Sequence, residues 1–438
     1  MKVSNVPVAM TELNIQKDDR VRYRIWTPSS SSSGVVVYAY DFGEQLEDNQ
    51  VKQVAEKISK ENNVAVLVIE YSGTELKRSD DLLKKLQERL PRFLDNIKDY
   101  TTDSIRQLIE NRRYQDVINE LFYALPVQYP VNIDTIIPLY GGPELYCDYG
   151  LAPALDIINT IEDVAKDYPD LDWNDCIGFG SGYGGYLIDL CERLSPGIFS
   201  IIMNVTGQIA PTSTELFCNM TEWENGLHRK TQVKSIGKLP INLVDYQGWT
   251  SNPSHEFYFK PQHFDIRNLA NENIIRTSPS DKNTIRILIE YSTGDPIYLE
   301  HKKLYVRMLL NQGFNVRQII LNEKDTSISY LIHKDNKVVV DYPALFKYYY
   351  DKYSNRNIKP RNRYNLIWFP VYEGLYVFYY SDSHLVYRYL TNSNFEKDEN
   401  KEIYEMIANH GEKDEIIKSM NSPIKSKSIE YEKLMNLK

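Results

Sequence analysis

The residues whose types and spacing could do chemistry lie in Cys176-Ile-Gly-Phe-Gly-Ser-Gly-Tyr-Gly-Gly-Tyr-Leu-Ile-Asp-Leu190. The stretch reads as a short strand, a glycine-dense turn and the start of a helix. Such a turn can hold a nucleophile clear of the backbone in the pattern Gly-x-Ser-x-Gly, with small residues two before and two after it. One register fits well. Gly180 and Gly184 take the small positions, Gly185 allows close helix packing, and the nucleophile position falls on Gly182, which has no side chain to attack with. The neighbouring Ser181 would require Phe179 and Tyr183 where small residues belong. A glycine turn without chemistry and a phosphate-binding turn are the alternatives. Neither a G-x-x-x-x-G-K-[ST] pattern nor a G-x-G-x-x-G with an acidic partner is present, however.

A nucleophile needs a base and an acid to orient it, and the chain offers both in order. The apolar run Thr284–Tyr291 ends in Ser-Thr-Gly-Asp295 before a helix over 302–311, and the strand Asn315–Leu321 is followed by His333. The order 182, 295, 333 is nucleophile, acid, histidine. Asp295 could equally cap the helix after it, and His333 could be an ordinary loop histidine. The other half of such a site is a pair of backbone N–H groups for a developing oxyanion. Phe42 and Gly43, after the buried strand Gly34–Tyr40, and Tyr183, after the turn, are the candidates.

The elements that position these residues follow from periodicity. Residues 20–27 alternate as a half-exposed strand, while 34–40, 64–71, 198–205, 284–291 and 315–321 read as buried strands. Residues 50–61 and 155–165 read as helices, the latter with Leu155, Ile158, Ile161 and Ala165 on one face. Strand–helix–strand units of this length imply parallel crossovers. Together these predict an α/β fold of the hydrolase type: a mostly parallel sheet with helices on both faces, over residues 1–355. A helical cap-like insertion is expected at about 75–140, with helices at 80–95, 102–113 and 114–124, and an irregular second insertion at about 207–280. Residues 356–438 read as an appended segment, an aromatic hairpin (364–372 with 374–380) and a charged tail over 396–438 with a helix or two that fray at their ends.

The bulk numbers narrow the class. Among 438 residues, 42% are hydrophobic and 25% charged, as in ordinary globular proteins. A net charge of −9 argues against nucleic-acid partners, which need a basic face. No run has the length of a membrane helix, and residues 1–16 lack a signal-peptide layout, so a cytoplasmic protein is expected. Cys147, Cys176, Cys191 and Cys218 fit no metal spacing and no disulfide framework, so neither metal nor cofactor is expected. The 34 tyrosines suit amphipathic surfaces, and most are expected in the core.

Several blocks resemble an uncharacterised bacterial family of α/β-hydrolase-like proteins, a domain of unknown function associated with flagellin-glycosylation and motility gene clusters. They are Tyr146–Asn159, Gly180–Leu187, Phe264–Leu269, Glu290–Asp295 and Ser329–His333. The resemblance spans roughly residues 20–355. It implies an α/β-hydrolase core with a serine-hydrolase triad, the acid on Asp295 and the histidine on His333. The family's elbow serine is matched by Gly182, and its glycine after the histidine by Lys334. It also implies a setting in surface-glycan or flagellin modification.

Three readings stand open. In the first, the chain is a degenerate serine hydrolase that binds a small molecule, a glycan or a protein partner. In the second, Ser181, His333 and Asp295 form a displaced triad of an active esterase, acyl transferase or deacylase acting on an acyl ester. In the third, the chain is an interaction protein that meets its partner through the C-terminal hairpin and tail.

Overall fold

The computed structural model describes residues 2–9, 20–28, 34–41, 44–71, 149–212, 258–277, 282–292, 296–322, 327–334, 337–353, 364–395 and 397–436, together with 228–236, 239–246 and a few isolated positions. The chain divides into two units. One comprises residues 1–74, 148–211 and 260–438; the other comprises 75–147 and 212–259.

In the first unit, eight strands form one sheet: β1 (Lys2–Pro7), β2 (Arg20–Trp26), β3 (Val35–Ala39), β4 (Ala65–Glu70), β5 (Cys176–Ser181), β6 (Ile201–Val205), β7 (Ile285–Tyr291) and β8 (Val316–Leu321). Their order is β1-β2-β4-β3-β5-β6-β7-β8. Both pairings of β2 are antiparallel, and the pairings from β4 through β8 are parallel. The central strands are buried on both faces, in keeping with their Val/Ile/Leu-rich runs. This is the α/β-hydrolase sheet that the sequence predicts.

Three helices bracket the strand that matters most. α1 (Asn49–Asn62) follows β3, α2 (Leu151–Asp167) precedes β5, and α3 (Tyr183–Leu194) follows it directly. The pleat of β5 sorts its side chains. A Cβ on Gly178 or Gly180 would meet Ile188 or Gly184 of α3, whereas Phe179 packs its ring 5.6 Å from that of Phe346 on α7 (Tyr342–Lys352). Hence α3 and α7 cover opposite faces of the sheet.

α3 is buried along its whole length, charged residues included. Asp189 and Glu192 lie 3.5 and 3.6 Å from the guanidinium of Arg286 on β7. Glu192 also accepts the backbone N–H of Gly197 at 3.0 Å and the hydroxyl of Thr284 at 3.0 Å. Burial nevertheless pushes its carboxyl up to about 7. Arg193 donates to the carbonyls of Asn268 and Leu269, at 2.8 and 2.6 Å. These bonds tie α3 to the loop between α4 (Pro261–Arg267) and α5 (Glu272–Thr277).

α2 is the amphipathic helix its sequence suggests, yet all of Leu151–Val164, polar residues included, is buried. Its polar stripe is a fastening rather than a solvent face. Asp156 and Asp163 each accept a backbone N–H from the β1 region, from Ala9 and Asn5, both at 2.8 Å. That satisfies donors on an edge strand. Between them, Asn159 donates to Leu385 O at 3.1 Å and accepts Leu385 N–H at 2.6 Å.

Leu385 belongs to the C-terminal region, where the two strands expected as a hairpin are joined by a third and the charged tail holds three helices. Past α6 (Pro296–Asn311), the hairpin of β9 (Leu331–Lys334) and β10 (Lys337–Val340), and α7, three antiparallel strands form a separate sheet: β11 (Leu366–Val371), β12 (Gly374–Ser381) and β13 (His384–Leu390). α8 (Lys401–Ala408), α9 (Lys413–Asn421) and α10 (Ile429–Asn436) follow. Ile403, Ile407, Ile416 and Met420 pack on Leu366, Trp368, Leu375 and Val377 of one sheet face. Two i,i+4 pairs thus supply the core contacts of α8 and α9, too sparse a signal to stand out among the charges around them.

In the second unit, His228–Ile236 pairs antiparallel with Leu239–Tyr246, and Ile137–Pro138 runs parallel to the latter. The stretch 207–280 is therefore more regular than its sequence suggests, since His-Arg-Lys-Thr-Gln-Val-Lys-Ser-Ile hides a strand among polar residues. The helices expected at 80–95, 102–113 and 114–124 lie, but for two positions, outside the described residues, as do Cys147 and Cys218. Cys176 and Cys191 are buried and form no disulfide. Among the described residues no helix is long and apolar enough to cross a membrane.

Asp265 on α4 reports on how the C-terminal sheet is held. Its carboxylate accepts Tyr372 N–H at 2.9 Å, and burial pushes its pKa up to about 6. Below the ordinary aspartate range, folded and unfolded forms are both protonated. Between about 4 and about 6 the folded form retains a proton that the unfolded form releases, so this group's contribution falls as pH rises. Asp265→Asn should abolish that fall: in urea unfolding, the variant should gain about 3 kcal/mol relative to the native chain between pH 4 and 7.

Candidate functional site

Three glycines decide the geometry where β5 turns into α3. A Cβ on Gly180 would lie 2.5 Å from the Gly184 backbone, and a Cβ on Gly184 would lie 2.1 Å from the carbonyl oxygen of Ala39 on β3. The helix therefore begins almost in contact with two strands. Gly182 is the turn itself, with φ 52° and ψ −123°, a conformation costing about 1–3 kcal/mol for a residue with a side chain. Its N–H donates to Val205 O at 2.9 Å and its carbonyl accepts Tyr186 N–H at 3.2 Å. The strand–turn–helix expected around Gly182 is present.

The first N–H groups of a helix have no partner within it and carry its positive end. On α3 the N–H of Tyr183 is the first of these, and its partner comes from far along the chain. Asp41, just past β3, places Oδ1 at 2.7 Å from that nitrogen. A Cβ built on Gly182 would fall 2.1–2.3 Å from the three carboxylate atoms of Asp41. The Asp41 carboxylate thus fills the volume where a side chain at position 182 would begin. Asp41 and Gly182 are both half-buried.

The position of Asp41 is fixed by a short reciprocal turn. Its N–H donates to Glu44 Oε2 at 2.9 Å, and Glu44 N–H donates back to Asp41 O at 3.2 Å. Burial and the neighbouring Asp41 carboxylate raise the Glu44 pKa, with burial the larger cause. Phe42 and Gly43, expected as oxyanion-hole residues, lie outside the described residues.

Tyrosines wall the turn. Tyr183 sits 4.7 Å from Tyr149, 5.9 Å from Tyr186 and 6.4 Å from Tyr71, ring centre to ring centre, and Tyr71 stacks on Tyr40 at 4.8 Å. The Tyr71 hydroxyl donates to the Tyr40 carbonyl, and that of Tyr186 donates to Arg267 O at 3.1 Å. Tyr149 holds its place in a left-handed conformation, φ 51°, with Arg267 Nε donating to its carbonyl at 3.0 Å.

The remaining expected residues fall elsewhere. Ser181 ends β5 on the α7 face, is 2% exposed, and hydrogen-bonds with the phenols of Tyr38 and Tyr342. Burial pushes Tyr342 up to about 12 and Tyr38 higher still. His333 is an exposed residue of the β9–β10 hairpin, opposite Val338. Asp295 lies outside the described residues. The structure therefore brings together Gly182, Tyr183 and Asp41, and sets Ser181 and His333 apart from one another in environment, one enclosed by phenols and one in solvent. Asp41 is the residue that sequence reasoning passed over. An acid in Asp41-Phe42-Gly43, at the end of a strand whose following loop must face the turn, is the signal that marks it.

Residues 7–385 match the family described as "Protein of unknown function (DUF2920)". No curated protein matches. Among solved structures, the chain is similar to the acylaminoacyl peptidase of Pyrococcus horikoshii, at 13% identity and a TM-score of 0.38 over 83% of this chain and 43% of that one. It is also similar to the dienelactone hydrolase of Anabaena variabilis (10% identity, TM-score 0.33, 81% and 98% covered). A third is the esterase Est2 of Thermogutta terrifontis (9% identity, TM-score 0.39, 82% and 95% covered). The chain spans less than half the length of the peptidase. At these identities and TM-scores the likenesses carry nothing about chemistry.

The glycine contacts give a direct check. Gly184→Ala forces a methyl against backbone that cannot give way, and should cost about 3 kcal/mol or more in unfolding free energy. Gly411→Ala, with nothing within 4 Å of the added methyl, should stay within about 0.5 kcal/mol of the native chain. Equal effects of the two substitutions would refute the close crossing.

Proposed function

The chain belongs to the DUF2920 family, and from that premise and the geometry of the turn we propose that it is a degenerate serine hydrolase, a member of the α/β-hydrolase fold whose elbow has exchanged covalent catalysis for binding. The observation that carries this reading is the state of the elbow. The residue at the turn is glycine, and the amide that would stabilise an oxyanion is held by Asp41. Acyl transfer at an elbow needs a nucleophile on the turn and the next backbone N–H open to the developing negative charge. Here one is absent and the other is engaged.

The glycine also accounts for how the fold tolerates the exchange. Glycine adopts φ 52° without the strain a serine would carry. Ser181 gives the displaced-triad reading little support, because its hydroxyl is buried against the phenols of Tyr38 and Tyr342 on the sheet face opposite α3. The ligand class in this reading is a small molecule, a glycan or an acyl ester without turnover, received at the tyrosine-walled turn. A role in surface-glycan or flagellin modification belongs to the same proposal.

Labelling with a fluorophosphonate probe tests it. The native chain should remain unlabelled, and Ser181→Ala should make no difference. Labelling of the native chain that disappears in Ser181→Ala would replace this reading with an active serine enzyme.

A further inference from the structure

We propose that β8 is a docking edge for a second copy of this chain: its open side pairs antiparallel with β8 of the copy about a two-fold axis at Gln318, so that two eight-stranded sheets continue as one. This pairing is independent of what the elbow binds.

The alternation along β8 decides which of its backbone groups already have partners. Arg286 N–H donates to Asn315 O at 2.9 Å, and Ser292 N–H donates to Leu321 O at 2.8 Å. Between them the parallel register with β7 runs unbroken from Val316 to Leu321. Alternate residues of a strand turn their backbone groups to opposite sides. Asn315, Arg317, Ile319 and Leu321 therefore face β7, while Val316, Gln318 and Ile320 face outward. β8 ends the sheet. Among the described residues no hydrogen bond reaches its three outward N–H and three outward C=O groups.

Other edges of the molecule are closed by side chains. On β1, Asp163 accepts Asn5 N–H at 2.8 Å. On β13, Asn159 takes both backbone groups of Leu385, Arg388 Nη1 donates to Tyr387 O at 3.1 Å, and Asn394 Nδ2 donates to Tyr389 O at 3.1 Å. β8 has no such closure, and none of the prolines, lysines or bulges that blunt an exposed edge. Its sequence, Val-Arg-Gln-Ile-Ile-Leu, leaves Ile320 44% exposed. Such an edge is a template for another strand.

The edge matches itself. With the axis at Gln318, Val316 faces Ile320 of the second copy, Gln318 faces its own equivalent, and Ile320 faces Val316. Each of these pairs exchanges two backbone hydrogen bonds, so every outward group is satisfied at once. The same register sets one aliphatic side chain against another at Val316 and Ile320. Arg317, the strand's one charge, is drawn over the Tyr353 ring, its guanidinium 5.6 Å from the ring centre. A chain of net charge −9 repels its copies over most of its surface, yet Asn315–Asn322 carries no acidic residue. Stable association buries roughly 1,200 Å² or more. To the ribbon of paired strands, α6, which packs on β8, adds the exposed Leu304 and Leu310.

Sedimentation velocity on the full chain tests the pairing. The native chain should run at twice the mass of one chain, and Gln318→Pro should halve it. Proline there removes only an outward N–H, so the ladder with β7 remains. If circular dichroism shows Gln318→Pro to be unfolded, Ile320→Lys takes its place. Ile332→Lys, at an exposed position of the β9–β10 hairpin, should leave the mass unchanged. Under mild oxidation Gln318→Cys should cross-link into a covalent dimer that the native chain does not form, since the paired positions lie about 5.5 Å apart between Cα atoms. A native chain that stays monomeric at every concentration would overturn the proposal and leave the edge to an extended peptide of another protein. A dimer that survives both Gln318→Pro and Ile320→Lys, or a folded Gln318→Cys that does not cross-link, would overturn it as well.

Discussion

Everything near the elbow depends on how closely a helix can approach two strands. Gly180 and Gly184 let α3 start within van der Waals reach of β3 and β5. Without that approach the Tyr183 amide would not meet Asp41, which leaves β3 only two residues after its last strand position. The same closeness directs the strain to one residue, Gly182, the one best able to bear it. Around this crossing the chain spends its polar groups on rigidity. α3 is held from behind by Arg286, Asn204 and Thr284, and from its far end by Arg193 bonded to backbone carbonyls. A buried helix with four such fastenings cannot drift, so the position of its first amide is set as firmly as the sheet itself.

Much of the fold was legible because two periodicities do not overlap. Unbroken apolar runs such as Val35–Ala39 and Ala65–Ile69 read as buried strands, and their spacing around α1 leaves room only for a parallel crossover. The turn was legible for a steric reason, since four glycines among six residues from Gly180 to Gly185 make sense only where backbones nearly touch. What escaped was whatever depended on partners distant in sequence. Asp156, Asn159 and Asp163 look like the wet side of α2 until the β1 region and β13 are placed against them. Asp41 looks like a loop acid until α3 is placed above it. Ser181 and Gly182 are adjacent in sequence, yet the pleat sends the serine to the α7 face and leaves the glycine at the turn.

The contrast between Ser181 and Asp41 shows why residue type alone misleads. A serine beside an elbow invites a catalytic role, but a buried hydroxyl shared between the phenols of Tyr38 and Tyr342 is a structural hydrogen-bond partner. An aspartate after a strand invites no role, but at the positive end of a helix it holds one of the two amides that acyl chemistry would use. Environment, set by strand parity and helix position, reverses the two assignments.

The bond pair between Asn159 and Leu385 reaches across 226 residues. A ribosome finishes α2 long before it reaches β13, and during that interval the Asn159 amide has only water for company. The polar seam between α2 and the C-terminal sheet therefore closes only after β13 has been made. The C-terminal sheet acts as a clasp on α2, and until it forms the chain carries an open polar seam at which misassembly can begin.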